Sequence, residues 1–173
     1  FGQNFLIDHH LIAAIIHAIN PISSDRLVEI GPGMGALTKP LLKILDHLFV
    51  VEVDRDIVQW LYNEFPEQKL TIYAADALRF NFAQLGVKLR IIGNLPYNIS
   101  TPLLFHLSQY SASVIDMHFM LQQEVVDRMV AKPSTSDYGR LSVMLQNQFE
   151  MEKLLSVPAE SFKPVPKVES AII

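Results

Sequence analysis

Four residues, Asn94-Leu95-Pro96-Tyr97, follow directly on the apolar run "LRII" and Gly93. Pro96 has no N–H to give to a ladder, so a strand must stop there. Asn94 and Asn98 are polar and do not suit a core. An amide, a stiff backbone carbonyl and an aromatic ring side by side suit a flat base carrying an exocyclic amine. The lone pair of such an amine is delocalised into the ring, which makes it a poor nucleophile. Two acceptors out of the ring plane can hold its two hydrogens, draw the nitrogen toward tetrahedral geometry and free the pair. Asn94 offers its side-chain oxygen, Pro96 its carbonyl on a fixed φ, and Tyr97 a ring for stacking. Methyl transfer from a sulfonium to that nitrogen needs no metal and no strong base. Alignment at roughly 3 Å dominates. Taken alone, the same four residues also make an ordinary capped turn.

The acids and glycines upstream narrow the choice. Residues 31–36, "GPGMGA", fit the pattern G-x-G-x-x-G/A. Gly31 and Gly33 let the backbone turn sharply and approach a ligand, and a helix N-terminus behind them would attract an anion. Glu52 closes the next apolar run, about 20 residues on, where a carboxylate can accept both hydroxyls of a ribose. Asp76 closes the third run, in reach of an adenine edge. Each acid alone reads as a solvated strand end. Together, three strand ends offer one group each to one nucleoside. NAD and S-adenosylmethionine both satisfy that pattern. The Asn-Leu-Pro-Tyr turn separates them, because hydride transfer calls for a different group at that strand end.

Elements that could position these residues recur along the chain. Asp8 can cap a helix over "HHLIAAIIHAI", which Asn20-Pro21 ends. "RLVEI", "HLFVVEV", "KLTIYAA", "LRII" and "IDMHFML" read as strands. Helical patterns are expected between them, over roughly 36–46 and 55–64 among others. "FEMEKLLSV" and "ESAII" read as two late strands. Strand-helix alternation predicts an α/β fold: a doubly wound, mostly parallel sheet covered on both faces, with ligands at the carboxyl ends of the strands.

Composition sets outer bounds. The chain has 173 residues, half of them hydrophobic, enough for one domain with a real core. It has no cysteine, which removes disulfides and thiolate metal sites and fits a cytoplasmic protein. No apolar run approaches a membrane span. His9, His10 and His17 read as helix residues, with no acidic partner at ligand spacing, so no metal is expected. Arg128, Lys132 and Arg140 are candidates for phosphate contacts. The 14 Lys and Arg against 18 Asp and Glu argue, by themselves, against a nucleic-acid partner.

Seven stretches carry a specific resemblance: "FGQNFLID" (1–8), "VEIGPGMGALT" (28–38), "VEVDRD" (51–56), "GNLPYNISTPLLFHL" (93–107), "DMHFMLQQEVVDR" (116–128), "YGRLSV" (138–143) and "FKPVPKVESAI" (162–172). With them the chain resembles the bacterial small-subunit ribosomal RNA adenine-N6,N6 dimethyltransferases. The resemblance implies a Rossmann-like class I methyltransferase with a seven-stranded sheet, here as residues 1–173 without the family's C-terminal helical domain. It implies S-adenosylmethionine as cofactor and two adjacent adenines near the 3′ end of small-subunit RNA as target, in immature 30S particles, by a monomer. Gln3, Asn4 and Leu6 would close over the methionine part of the cofactor, and Gly31 and Gly33 would pass under it. Glu52 would hold the ribose, Asp76 the cofactor adenine, and Asn94 would also border the methionine. Asn94, Pro96 and Tyr97 would hold the target adenine, with Phe162 stacked on its other face. "VES" stands where Val-Asp-Ser is usual, and Gln123 where lysine is common, which removes one possible phosphate contact.

Two other readings share the fold. Large-subunit RNA adenine methyltransferases typically carry isoleucine at the position of Leu95. A non-catalytic assembly or transcription factor would not need Glu52, Asn94, Pro96 and Tyr97 intact. Both ends of the chain look cut, so the acidic balance is read as that of a fragment, and the strand at "SAII" is expected to fray at a sheet edge.

Overall fold

The apolar runs become strands whose two faces are both buried. The computed structural model describes residues 4–173, apart from the side chain of Tyr97. A short β1 (Phe5–Leu6) precedes α1 (His9–Ile19). Then come β2 (Arg26–Ile30), α2 (Thr38–Leu41), β3 (Leu48–Glu52), α3 (Arg55–Glu64), β4 (Leu70–Ala74), β5 (Leu89–Asn94), α4 (Tyr97–Ser108) and β6 (Val114–Gln122). The chain continues through α5 (Gln123–Met129), α6 (Arg140–Gln146), β7 (Leu155–Val157), β8 (Phe162–Lys163) and β9 (Ser170–Ile172).

Seven strands form one sheet in the order β4-β3-β2-β5-β6-β9-β7. Strands β2 to β6 pair in parallel, and β9 is antiparallel to both β6 and β7. The chain leaves β2 toward β3 and β4, then returns to β5 on the other side of β2. That reversal opens a crevice beyond the carboxyl ends of β2 and β5, where ligands bind in sheets of this kind.

Alternation along each strand sorts side chains between two cores. Val28, Ile30, Val51, Ile91 and Phe119 face one layer with Phe82, Leu103 and Val126. Leu27, Val50, Ile92 and Met120 face the other, with Ile15, Leu41 and Leu61 from α1, α2 and α3. Burial on both faces explains why the strands read as continuous apolar runs. No described helix is long and apolar enough to cross a membrane.

Helix α1 starts as its sequence suggests. Asp8 Oδ1 accepts from the backbone N–H groups of His10 and Leu11 at 3.0 and 3.1 Å. It ends at Asn20, which takes a left-handed φ of 47°. The last carbonyls are caught by Arg90 on β5. Its Nη2 donates to Ile19 O at 2.6 Å and its Nη1 to Asn20 O at 3.3 Å. The same guanidinium pairs with Asp25 at 2.6 Å and Asp116 at 2.8 Å. These carboxylates hold it above the usual arginine range, chiefly through the Asp116 hydrogen bond. One side chain thus ties a helix C-terminus to β5 and β6.

Four expectations are corrected. The helix expected over 36–46 is α-helical only at Thr38–Leu41, because i→i+3 bonds tighten the chain after it (Lys43 N to Pro40 O, Ile44 N to Leu41 O). Between β4 and β5 there is a 3₁₀ turn, Phe82–Leu85, and no α-helix. Packing of Phe80 on Phe82 at 5.0 Å does the covering there. Of "FEMEKLLSV" only Leu155–Val157 is strand. The strand at "SAII" is not a frayed edge: β9 lies between β6 and β7, and Ser170 to Ile173 are buried.

Arg90→Ala should remove the clamp and leave Asp25 and Asp116 unpaired. A loss of about 3 kcal/mol is expected in urea unfolding. An unchanged midpoint would show that apolar packing alone holds α1.

Candidate functional site

Register decides which side chains meet in the crevice. Glu29 pairs with Val50 of β3 and with Ile92 of β5. Two residues further on, the same face carries Glu52 on β3 and Asn94 on β5. On β2 that step falls on Gly31, which has no side chain. Gly31 has a φ of +65°, costly for other residues. Its N–H donates to Val51 O at 3.0 Å, and a Cβ there would lie 3.9 Å from Asn94 O. The result is a gap floored by Gly31, with a carboxylate on one side and an amide on the other.

Glu52 is buried and held rigidly. Its Oε1 accepts from the N–H groups of Val53 and Asp54, both at 2.8 Å. Those bonds leave Oε2 to accept from a ligand. Burial raises its carboxyl above the ordinary value, the two backbone bonds working against that. Asp54 caps α3, accepting from Asp56 N at 2.9 Å. Asp76 is exposed on the loop after β4, and its Oδ1 accepts from Leu78 N at 2.9 Å. Since Glu52 pairs with Ala74, Asp76 lies just beyond that strand end.

The N-terminal segment folds over the glycines. Antiparallel pairing of β1 with β8 sets Leu6 opposite Phe162 and Phe5 opposite Lys163. A Cβ on Gly33 would lie 3.5 Å from the Phe5 ring. Phe5 therefore covers the glycine turn, a role the sequence reading did not assign. Asn4 is half-buried beside it. Leu6 is in the core, so what it can offer a ligand is backbone. Gln3 lies outside the described residues. Met34 and Val53, next in sequence to Gly33 and Glu52, are exposed apolar side chains.

At the end of β5 the carbonyls of Leu95 and Pro96 differ in their hydrogen bonding. The Pro96 carbonyl accepts from Ile99 N and Ser100 N, both at 3.1 Å, as the first acceptor of α4. It is therefore committed to the helix. The Leu95 carbonyl accepts no hydrogen bond among the described residues. Leu95 N donates to Met120 O at 3.1 Å, which fixes that peptide against β6. Asn94 is half-buried. Tyr97 is the first residue of α4.

Phe162 stands apart. It is 4% exposed and packs in the second core. In this conformation the ring expected to stack on a base faces Leu6 and its neighbours, not the crevice.

Glu29 was also not anticipated. It is 2% exposed, and Thr38 Oγ1 donates to its Oε2 at 2.6 Å. Burial pushes its carboxyl up to about 7, the Thr38 bond opposing this and the Glu52 charge adding to it. The signal was present in "RLVEI", an acid inside a strand buried on both faces.

Beside the crevice runs a groove of about 560 Å³ lined by Thr101, Phe105, Arg128, Tyr138 and Arg140, among others. Arg128 pairs with Glu124, while Arg140 has no carboxylate partner among the described residues. No group of three or more His, Asp or Glu among the described residues could hold a metal ion.

Comparison with known proteins bears on what this crevice does. The family described as ribosomal RNA adenine dimethylase matches residues 1–173. Ribosomal RNA small subunit methyltransferase A of Nitrosomonas eutropha is 66% identical over 173 residues, all of this chain and 67% of that protein. The protein of the same name from Methylobacillus flagellatus is 62% identical, across all of this chain and 68% of its own length. Among solved structures, a dimethyladenosine transferase from Plasmodium falciparum superposes with a TM-score of 0.85 at 30% identity, covering 97% of this chain and 61% of that one. The 23S rRNA methyltransferase ErmE superposes at 0.82 with 29% identity, over 98% and 68%.

Phe162→Ala should cost about 3–5 kcal/mol of folding stability, as expected for deleting a buried ring. A urea midpoint within error of the parent protein would instead place the ring outside the core.

Proposed function

The chain belongs to the ribosomal RNA adenine dimethylase family, and on that footing we propose that it transfers methyl groups from S-adenosylmethionine to N6 of adenine in small-subunit ribosomal RNA. The observation that carries the reading is the meeting of Glu52, Gly31 and Asn94 on one face at the strand reversal. The finer reading is dimethylation of two adjacent adenines near the 3′ end of that RNA, in immature 30S particles, by a cytoplasmic monomer.

The crevice suits a nucleoside cofactor. The free carboxylate oxygen of Glu52 can accept from a ribose, and Asp76 stands beyond it for an adenine edge. Gly31 and Gly33 leave room for the cofactor's chain under Phe5 and the backbone of Asn4 and Leu6. S-adenosylmethionine supplies, when bound, an electrophilic methyl group on a sulfonium.

The protein's part in the transfer is orientation. Asn94 accepts one N–H of the target amine through its side-chain oxygen, and the Leu95 carbonyl accepts the other. Pro96 restricts Leu95 to extended backbone and so aims that carbonyl. Tyr97 supplies the ring for stacking. The nitrogen pair forms the new N–C bond, the C–S pair stays with sulfur, and the nitrogen's proton leaves to water. After one transfer a single N–H remains, for which one acceptor suffices. Phe162 is left out of this set because its ring is in the core.

Cations for RNA are local. Arg128 and Arg140 line the groove that Thr101 joins to the start of α4, one helical turn from residue 97. Phosphate contacts there would offset the overall acidity. Identity of 66% to a small-subunit enzyme, against 29% to the 23S enzyme, favours the small subunit as target. Labelled methyl transfer to small- and large-subunit particles, with the product base mapped, tests this. Label in large-subunit adenine alone would sink the target assignment.

Asn94→Ala should nearly abolish transfer with the fold retained. A purified variant that keeps a tenth or more of the parent rate would contradict the orienting role. Glu52→Ala should weaken cofactor binding by about 1.5–3 kcal/mol, roughly 10- to 150-fold. Unchanged affinity by calorimetry would remove Glu52 from the site.

A further inference from the structure

Glu29 is a buried group that the transfer chemistry does not use. It lies two residues before Gly31 on β2, on the face that carries Glu52 and Asn94 further up the sheet. Its side chain thus leaves the sheet on the face of the gap, one pleat before Gly31, close enough to Glu52 to feel its charge. Thr38 on α2 donates to it. No lysine, arginine or histidine pairs with it among the described residues. The charged group acting on it is Glu52, another acid. Lys39, next to Thr38, turns outward to Glu64 at 3.1 Å.

Such a carboxyl is costly to ionise. It is shut away from solvent, has no cation partner among the described residues, and has an acid nearby. A positive charge arriving above it would relieve that cost. On the reading given under Proposed function, which this inference rests on, the methyl donor is a sulfonium cation and the product of transfer is a neutral thioether. We propose that Glu29 is the residue by which the site distinguishes the charged donor from its neutral product. The carboxyl holds its proton more tightly beneath a free site or a thioether than beneath a sulfonium.

The proton account closes over a cycle. Donor binding sends one proton from Glu29 to solvent. Transfer leaves the C–S electron pair on sulfur and puts the methyl on nitrogen, which loses its own proton to water. With the positive charge gone, Glu29 takes a proton back from solvent. The attraction that helped bind the donor is therefore lost at the moment of transfer, which favours exchange of product for fresh donor. Burial pushes the carboxyl up to about 7, which places the exchange around neutral pH.

Linkage fixes the sign. A bound cation lowers the carboxyl's pKa, so the free protein holds more proton than the donor complex, and donor affinity rises with pH until the free carboxyl has ionised. For a fall of one unit, donor affinity should be roughly fivefold weaker at about pH 6 than at about pH 8.

The test is calorimetric binding of S-adenosylmethionine and of S-adenosylhomocysteine across that range, in buffers of different ionisation enthalpy. The parent protein should release protons on binding the donor, and its preference for donor over thioether should grow with pH. Glu29→Gln keeps an acceptor for Thr38 but cannot titrate. It should lose the Glu29 share of proton release and the pH-dependent part of the preference. Titration of the cofactor's own amino group is common to both proteins and cancels in the comparison. Thr38→Val removes the bond that favours the ionised form, so it should move the midpoint to higher pH. It also keeps the test decisive if Glu29→Gln does not fold. Identical proton release and pH profiles in the parent and Glu29→Gln would overturn the role of Glu29 while leaving the site intact. Absence of binding, or binding that ignores Glu52→Ala, would overturn the site itself and this inference with it.

Discussion

The parallel register of β2 between β3 and β5 is the constraint on which the rest depends. It is what makes Glu52 and Asn94 neighbours across a residue without a side chain. Shift β5 by one residue against β2 and Asn94 turns to the opposite layer, since side chains alternate. Register is pinned by burial on both faces, with Val28 and Ile30 in one core and Leu27 in the other. Gly93 adds a steric lock. A Cβ there would come within 2.7 Å of Ile30 O, so β5 can approach β2 this closely only with glycine at that point.

Two ties hold the sheet's coverings in place, at opposite ends. At the amino ends of the strands, Arg90 fixes the C-terminus of α1 with the help of Asp25 and Asp116. At the carboxyl ends, Ser161 Oγ bonds to the capping carboxylate of Asp8 at 3.2 Å, and Ile7 N donates to Ser161 O at 2.9 Å. The second tie runs between segments more than 150 residues apart. It lays β1 along β8 and brings Phe5 over the glycine turn. A cap that starts a helix thus also helps form one wall of the crevice.

Much of this was legible in order of residues. The helix over 55–64, the cap at Asp8 and the stop at Asn20 are local chemistry, and local chemistry is what a sequence displays. The acids at strand ends could be placed because a doubly wound sheet has a fixed polarity. What was not legible depended on neighbours in space. Short β1 and β8 have two residues each, too few for any periodicity, and exist because they pair with each other. Interior placement of β9 follows from the β6-β9-β7 order, which a strand of three residues does not announce. The carbonyl available at Leu95 rather than Pro96 followed from where α4 begins, and a one-residue difference in a helix start is below what sequence resolves. Glu29 is masked in the sequence because the strand around it reads as core.

The electrostatics of the crevice divide its labour. On one side of the gap stand carboxyls, Glu52 and the deeper Glu29, each raised by burial and neither paired with a cation among the described residues. Ionising both is costly unless a ligand brings positive charge or hydrogen-bond donors. On the other side stands the amide of Asn94. A carboxylate at position 94 would add a further acid within the same layer and raise the cost of ionising the two already there. The neutral oxygen of Asn94 can still accept from an amine, and orientation is all that a nucleophile facing an activated methyl group requires. An amide at the end of β5 therefore suits Glu29 and Glu52 as well as it suits the amine of the proposed reaction.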